Sequence, residues 1–204
     1  VKSLILLNGP PRCGKDTAGF VLERRIGGDG SVVWVEKMSR LLKERTHALY
    51  GIVDRTGAPK GHAEYETSKD SPRPEFLGLT PRQAYIAVSE RYLKPMHGED
   101  VLGKMLADDV AATLNDPAYP KPRAVIVTDS GFRAESEPLA AMAERCLLVH
   151  IHREGCTFEG DSRDYWNWRA PHGPERSTLE IVNPGTLEAY ERVLESVVSW
   201  AKQE

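Results

Sequence analysis

The chain has 204 residues, 40% of them hydrophobic, and its 27 basic and 30 acidic residues leave a formal net charge of −3. That length suits one domain with room for an insertion, and a domain of this size buries roughly 70% of its extended-chain surface, so it needs no covalent staple. The charge balance speaks against a broad, sequence-independent grip on nucleic acid, though a local basic cleft is compatible with it. The three cysteines, Cys13, Cys146 and Cys156, have no metal-ligand spacing and read as reduced thiols.

In chain order, Ser3 to Asn8 is a continuous apolar run, as expected of a parallel strand covered on both faces. It is too short for a secretory core, and no apolar run approaches the ~18 residues of a membrane span, so a cytoplasmic protein without a membrane partner is expected. A Gly/Pro turn leads into a helix over Lys15 to Ile26, ended by Gly27 to Gly30. Ser31 to Glu36 is a second strand. Ser39 is expected to cap a helix over Arg40 to Tyr50. Residues 52 to 79 are polar and long for a plain connection. Thr80-Pro81-Arg82-Gln83 then predicts a helix start, with Thr80 as N-cap, Pro81 in the first turn and Gln83 closing a capping box. That helix runs to about Leu93, and Asp100 to Leu114 forms another, striped by Leu102, Leu106, Val110 and Leu114. A third strand covers Ala124 to Thr128 and ends at Asp129. A helix over Ser136 to Arg145 has Pro138 in its first turn. Strands at Leu147 to Ile151 and Thr178 to Val182 flank a polar stretch, 153 to 177, and an amphipathic helix closes the chain with Leu187, Tyr190, Leu194, Val197 and Val198. Alternating strands and helices imply an α/β fold, a five-stranded parallel sheet in a three-layer α/β/α sandwich.

Gly9-Pro10-Pro11-Arg12-Cys13-Gly14-Lys15-Asp16-Thr17 fits the Walker A frame, between an apolar strand and a helix. Glycines let backbone N–H groups turn inward around phosphate oxygens, and the helix N-terminus favours an anion. Gly9, Arg12, Cys13, Gly14, Lys15, Asp16 and Thr17 are therefore the expected ATP-binding residues, with Lys15 reaching the β/γ-phosphates. Asp16 stands where Ser or Thr is usual. It holds Mg²⁺ directly or through water, or Thr17 supplies the hydroxyl, or Asp16 is only a first-turn acid favoured by the dipole. Cys13 sits at a helix N-terminus, where thiols acidify, but packing is its expected role.

Five segments resemble the phage deoxynucleoside monophosphate kinase family of P-loop kinases: LNGPPRCGKDT, KMSRLLKERTHALYG, LTPRQAYIAVSERYLKP, AVIVTDSGFRAESEPL, and HREGCTFEGDSRDYWNW with the later VNPGTLEAY. The resemblance implies a P-loop kinase fold of strand order 2-3-1-4-5. Residues 1–204 would form a single domain, with about 52–118 a helical acceptor-binding insertion and about 153–177 a lid. It also implies ATP, Mg²⁺ and a nucleotide acceptor, and leaves a DNA acceptor and a homodimer open. The chain departs from the family at Gly131, where Arg two residues after the acidic strand end is usual; Arg133 stands two residues further on.

Three roles are open to Asp129: Mg²⁺ ligand through water, orienter of the acceptor, or general base for a hydroxyl; a structural cap is the plain alternative. Arg163, inside the expected lid, closes over the transferring phosphoryl group or is merely solvated. Arg82 is the acceptor-phosphate candidate, with Arg73, Lys94 and His97 behind it. Glu36 and Lys37 border the acceptor site. Tyr165, Trp166 and Trp168 either stack a base or pin the lid to the sheet. The expected reaction is phosphoryl transfer from ATP to a deoxynucleoside 5′-monophosphate, the alternative being transfer to the hydroxymethyl group of 5-hydroxymethyluracil in DNA.

Overall fold

Successive residues of the first strand point to opposite sides of the sheet, and both sides are apolar because helices cover both. The computed structural model describes residues 1–59, 63–169 and 175–203, and only the backbone of residues 63 and 64. Its strands are β1 (Ser3–Asn8), β2 (Val33–Glu36), β3 (Ala124–Val127), β4 (Arg145–His152) and β5 (Arg176–Val182). They form one parallel sheet in the order β2-β3-β1-β4-β5, the order the resemblance implies.

The helices are α1 (Lys15–Ile26), α2 (Met38–Leu49), α3 (Ala63–Glu66), α4 (Pro81–Val88), α5 (Lys94–His97), α6 (Val101–Asn115), α7 (Arg133–Ala140) and α8 (Leu187–Lys202). On one face, Ile5, Leu7, Ile126 and Val149 pack on α1 and α8 through Val21, Leu22, Leu194 and Val197. On the other, Leu4, Leu6, Val125, Val127 and Leu148 meet α2, α6 and α7 through Met38, Leu106, Val110 and Leu139. This is a three-layer α/β/α sandwich, the architecture of P-loop kinases. A third cluster lies within the helical segment: Leu42, Ile52, Tyr65, Phe76, Tyr85, Val88 and Leu102. Each large side chain buried this way contributes roughly 1.5–3 kcal/mol.

Several boundaries differ from expectation. α2 begins at Met38 and Ser39 is not its cap; the cap comes from Asp129, in the turn after β3. α7 starts at Arg133 rather than Ser136 and stops at Ala140, so Pro138 lies inside it. The stop reflects Arg145, which belongs to β4. Its guanidinium donates to the carbonyls of Trp200 (2.8 Å) and Gln203 (2.7 Å) at the end of α8 and lies over the Trp200 ring. The Thr80 capping box forms as read. The helix it starts is broken by a π turn over Ser89–Leu93. Pro95 follows that turn; its ring crowds the carbonyl four residues back, and widening the helix relieves the clash.

Residues 60–62, within the expected insertion, and 170–174, within the expected lid, lie outside the described residues. Among the described residues no helix is long and apolar enough to cross a membrane.

Candidate functional site

Strands β1, β3 and β4 end side by side, with Leu6 opposite Val127 and Asn8 opposite His150. The loop 9–14 rises from that edge and turns into α1. Gly14 precedes the helix at φ 104°, in the left-handed region that favours glycine. A Cβ there would also stand 2.5 Å from Asn183 Nδ2. The same amide donates to the Cys13 carbonyl (2.8 Å), while its oxygen accepts from Gly185 N–H (2.9 Å). Tyr190, on α8, reaches the Gly14 carbonyl (3.4 Å). Asn183 and Tyr190 thus brace the loop from the far end of the chain. Asn183 follows β5 directly, and the sequence carried no signal of this role.

Lys15 Nζ donates to the carbonyls of Gly9 (2.6 Å) and Pro10 (2.7 Å), so its ammonium lies across the loop. Burial pushes its pKa down, the Cys13 thiol works against that, and the nearby Arg163 charge adds to it. A helix N-terminus favours a thiolate, but the Cys13 thiol is fully buried, and burial pushes its pKa up despite Lys15. Packing is what Cys13 does. Arg12 is exposed, with φ 65°, and its carbonyl accepts from Arg153 (3.2 Å).

Asp16 is paired with Lys37 (2.8 Å). Burial opposes its ionisation, but the hydrogen bond and charge of Lys37 outweigh that and hold its carboxyl below the usual range. Thr17 is exposed on the first turn of α1. Asp129 accepts from Met38 N–H (2.6 Å) on one oxygen, and from Ser39 N–H (3.1 Å) and Ser39 Oγ (2.7 Å) on the other. It is the N-terminal cap of α2, although Oδ1, with one bond accepted, keeps a lone pair for a further partner. The Asn8 side-chain carbonyl oxygen, at the end of β1, is buried without a hydrogen-bond partner among the described residues, and the Thr128 hydroxyl, at the end of β3, faces no partner but the Asp16 carboxyl, which it helps keep ionised. A buried orphan of this kind suits water or a hydrated ion. No group of three or more His, Cys, Asp or Glu among the described residues is placed to hold a metal. Mg²⁺ beside phosphates asks only for one or two carboxylates with waters, so an ionised Asp16 and the orphaned Asn8 oxygen fit it.

On the acceptor side the expected residues spread out. Glu36 ends β2 and pairs with Arg40 (3.2 Å); burial pushes its pKa up. Arg82 is half exposed and grips Asp70 through Nε and Nη2 (2.5 and 3.3 Å). Arg133 opens α7. Arg163 is held by Asp161. Glu135, which sequence reasoning missed, is 4% exposed, and burial pushes its pKa to about 7. Lys94, itself buried, stands 3.8 Å from it.

The aromatics of the 153–169 segment mostly pin it. Trp168 is buried, and Trp166 and Tyr165 donate to the carbonyls of Ser130 (3.3 Å) and Ile151 (3.0 Å). Burial pushes the Tyr165 hydroxyl to about 12. His150 spans Glu180 and the Trp166 carbonyl, which ties β4 to β5 and to this segment. Beside Pro10, the residues His152, Arg153, Cys156, Phe158 and Tyr165 line an open cavity of about 510 Å³.

No family model matches the chain, and no curated protein does. Among solved structures it is similar to a sugar kinase from Janibacter sp. HTCC2649 in an unliganded crystal structure. The two share 10% identity across the whole of both chains, with a TM-score of 0.41. A likeness that faint carries neither a family nor a substrate.

Proposed function

We propose that this chain is an ATP-dependent phosphotransferase whose acceptor is a deoxynucleoside 5′-monophosphate. One observation carries the reading. The loop 9–14 turns at a left-handed glycine into the N-terminus of α1, at the carboxyl edge of a parallel sheet, with Lys15 lying across it. That arrangement suits the triphosphate of ATP. The cavity beside Pro10 is the place for its nucleoside, with Tyr165 offering an aromatic ring.

In the proposed reaction an acceptor phosphate oxygen bonds to the γ-phosphorus as the bond to the β–γ bridging oxygen breaks, giving ADP and a diphosphate. A phosphate acceptor is already ionised and needs no base, so catalysis rests on positioning and on cations placed where charge develops. Lys15 leaves the Gly9 and Pro10 carbonyls for phosphate oxygens, and Arg163 supplies a second cation. Asp16 and Thr17, with Asp129, would hold Mg²⁺, which supplies charge neutralisation on the phosphates. Arg82 exchanges Asp70 for the acceptor phosphate.

Transfer to the hydroxymethyl group of 5-hydroxymethyluracil in DNA is the second reading. Glu135 favours it, because a buried carboxyl near pKa 7 suits removal of a hydroxyl proton. The test is an acceptor screen with γ-labelled ATP and Mg²⁺, offering the common deoxynucleoside monophosphates and hydroxymethylated bases, free and in DNA. Label on a free monophosphate is the expected result. Label only on modified DNA, falling steeply with salt, selects the second reading, and no transfer to any acceptor overturns both.

A further inference from the structure

Gly131 has no backbone reason to be glycine. It is absent from the residues with positive φ, so an L side chain meets no conformational penalty there. What forbids one is a neighbour. A Cβ at 131 would stand 2.3 Å from Arg163 Cδ and 2.8 Å from Cγ, but an ordinary 3.6 Å from Cβ. The bare backbone after β3 is a seat for the Arg163 stem.

The other end of the side chain is gripped as well. Asp161 accepts from Arg163 N–H (3.0 Å), Nε (2.8 Å) and Nη2 (2.5 Å). That is a planar two-point fork plus a backbone bond, the geometry in which a guanidinium is least free to turn. Arg163 carries its charge firmly: the hydrogen bond to Asp161 raises its pKa and outweighs burial, and Asp129 and Glu135 add to it.

The seat places this cation beside the phosphate loop. The next residue, Asp164, gives its carbonyl to the side chain of Asn8 (3.3 Å), which also donates to the Ser130 carbonyl (2.9 Å) and immediately precedes Gly9. Lys15 bonds only to two carbonyls and the Cys13 sulfur and makes no ion pair among the described residues. Two like charges gathered where one has no carboxylate partner is an arrangement that a multiply charged anion relieves.

We propose that Gly131 and Asp161 are positioning residues that fix the Arg163 guanidinium as a built-in second cation for the phosphate chain held by the 9–17 loop. On this account Arg163 is set in place before any ligand arrives. The proposal rests on the phosphate-loop reading and names the device that completes it.

The test is a double-mutant cycle on the full chain, with Gly131→Ala, Arg163→Ala and the pair, read by calorimetric titration with tripolyphosphate and with ATP, and by thermal unfolding. Gly131→Ala and Arg163→Ala should each weaken tripolyphosphate binding on the order of 10-fold, the worth of a charge-assisted contact. The pair should bind no worse than Arg163→Ala alone, because removing Cγ and Cδ empties the space that the new methyl needs. Gly131→Ala should lower the unfolding temperature in the wild-type background and not in Arg163→Ala. A residue with only a structural role would lower the unfolding temperature and leave the tripolyphosphate affinity alone.

If Gly131→Ala fails to fold, recovery of a folded protein by the pair supports the seat, and Arg163→Ala alone reports the anion contact. Wild-type affinity in either single variant, or the same loss from Gly131→Ala in both backgrounds, overturns the proposal while the phosphate-loop reading stands. Failure of the wild-type chain to bind tripolyphosphate or ATP brings down both.

Discussion

Glu135 is a carboxyl that the fold keeps nearly out of water, with Lys94 3.8 Å away, at the limit of ion pairing. Its ordinary value is 4.5, and in the folded chain it is about 7. Between those two values the folded state holds more protons than the unfolded state, so the contribution of Glu135 is fully present below pH 4.5. It is lost as pH rises towards 7. The swing is on the order of 3 kcal/mol. Glu135→Gln should therefore be more stable than wild type at pH 8 by about that amount, with the difference shrinking towards pH 4.5. Urea unfolding at pH 4.5, 6 and 8 measures it, and a gap that does not move with pH would show that burial of the charge is not the source. Lys15 behaves differently. Its ammonium bonds to loop carbonyls rather than to a carboxylate, so Lys15→Ala should leave the fold intact by circular dichroism. It should cut phosphoryl transfer roughly 10²–10³-fold, the usual loss when one donor to a developing anion is removed.

Two helices are capped in ways that separate what is written locally from what is not. Thr80 and Gln83 exchange hydrogen bonds within one turn, so the start of α4 was readable from four residues. Thr80→Ala should cost about 1 kcal/mol in chemical denaturation. The cap of α2 comes from Asp129, 91 residues away, and no local pattern announces it. Ser39 looked like the cap because it is the nearest small hydroxyl, yet the structure uses its hydroxyl to donate to Asp129. Asp129→Ala strips two N–H groups and that hydroxyl of their acceptor and should cost roughly 1–3 kcal/mol. Asp129→Asn keeps one acceptor and should cost less. A loss of transfer in Asp129→Asn far beyond its loss of stability would give Asp129 a chemical task besides the cap. The shape of the loop 9–14 and its turn into α1, like the Thr80 box, were legible because their residues are contiguous. Asn183, Gly131 and Glu135 were not, since their meaning lies in what they face across the fold. The end of α7 was misread for the same reason: Arg145 looks like the last turn of a helix until its partners on α8 are known.

At the scale of the molecule, α2 and α6 each serve two cores. α2 gives Met38 to the sheet and Leu42 to the helical segment, and α6 gives Leu106 and Val110 to the first and Val101 and Leu102 to the second. The helical segment is thus joined to the sheet by continuous helices rather than by a loose tether. A ligand bound at the sheet edge should stabilise the whole. ATP at a hundred times its Kd adds about 2.7 kcal/mol, which for a chain of this size raises the unfolding temperature by about 5–10 °C. Differential scanning calorimetry reads this directly, and Lys15→Ala should abolish most of the shift. The bracing of the first loop by Asn183 and Tyr190 has a consequence for the chain as it is made. The amide and the phenol that lock the loop leave the ribosome only after some 170 further residues have followed it. If the loop cradles a nucleotide as proposed, a stalled nascent chain ending at residue 150 should be unable to retain it, and one extended past Tyr190 should hold it.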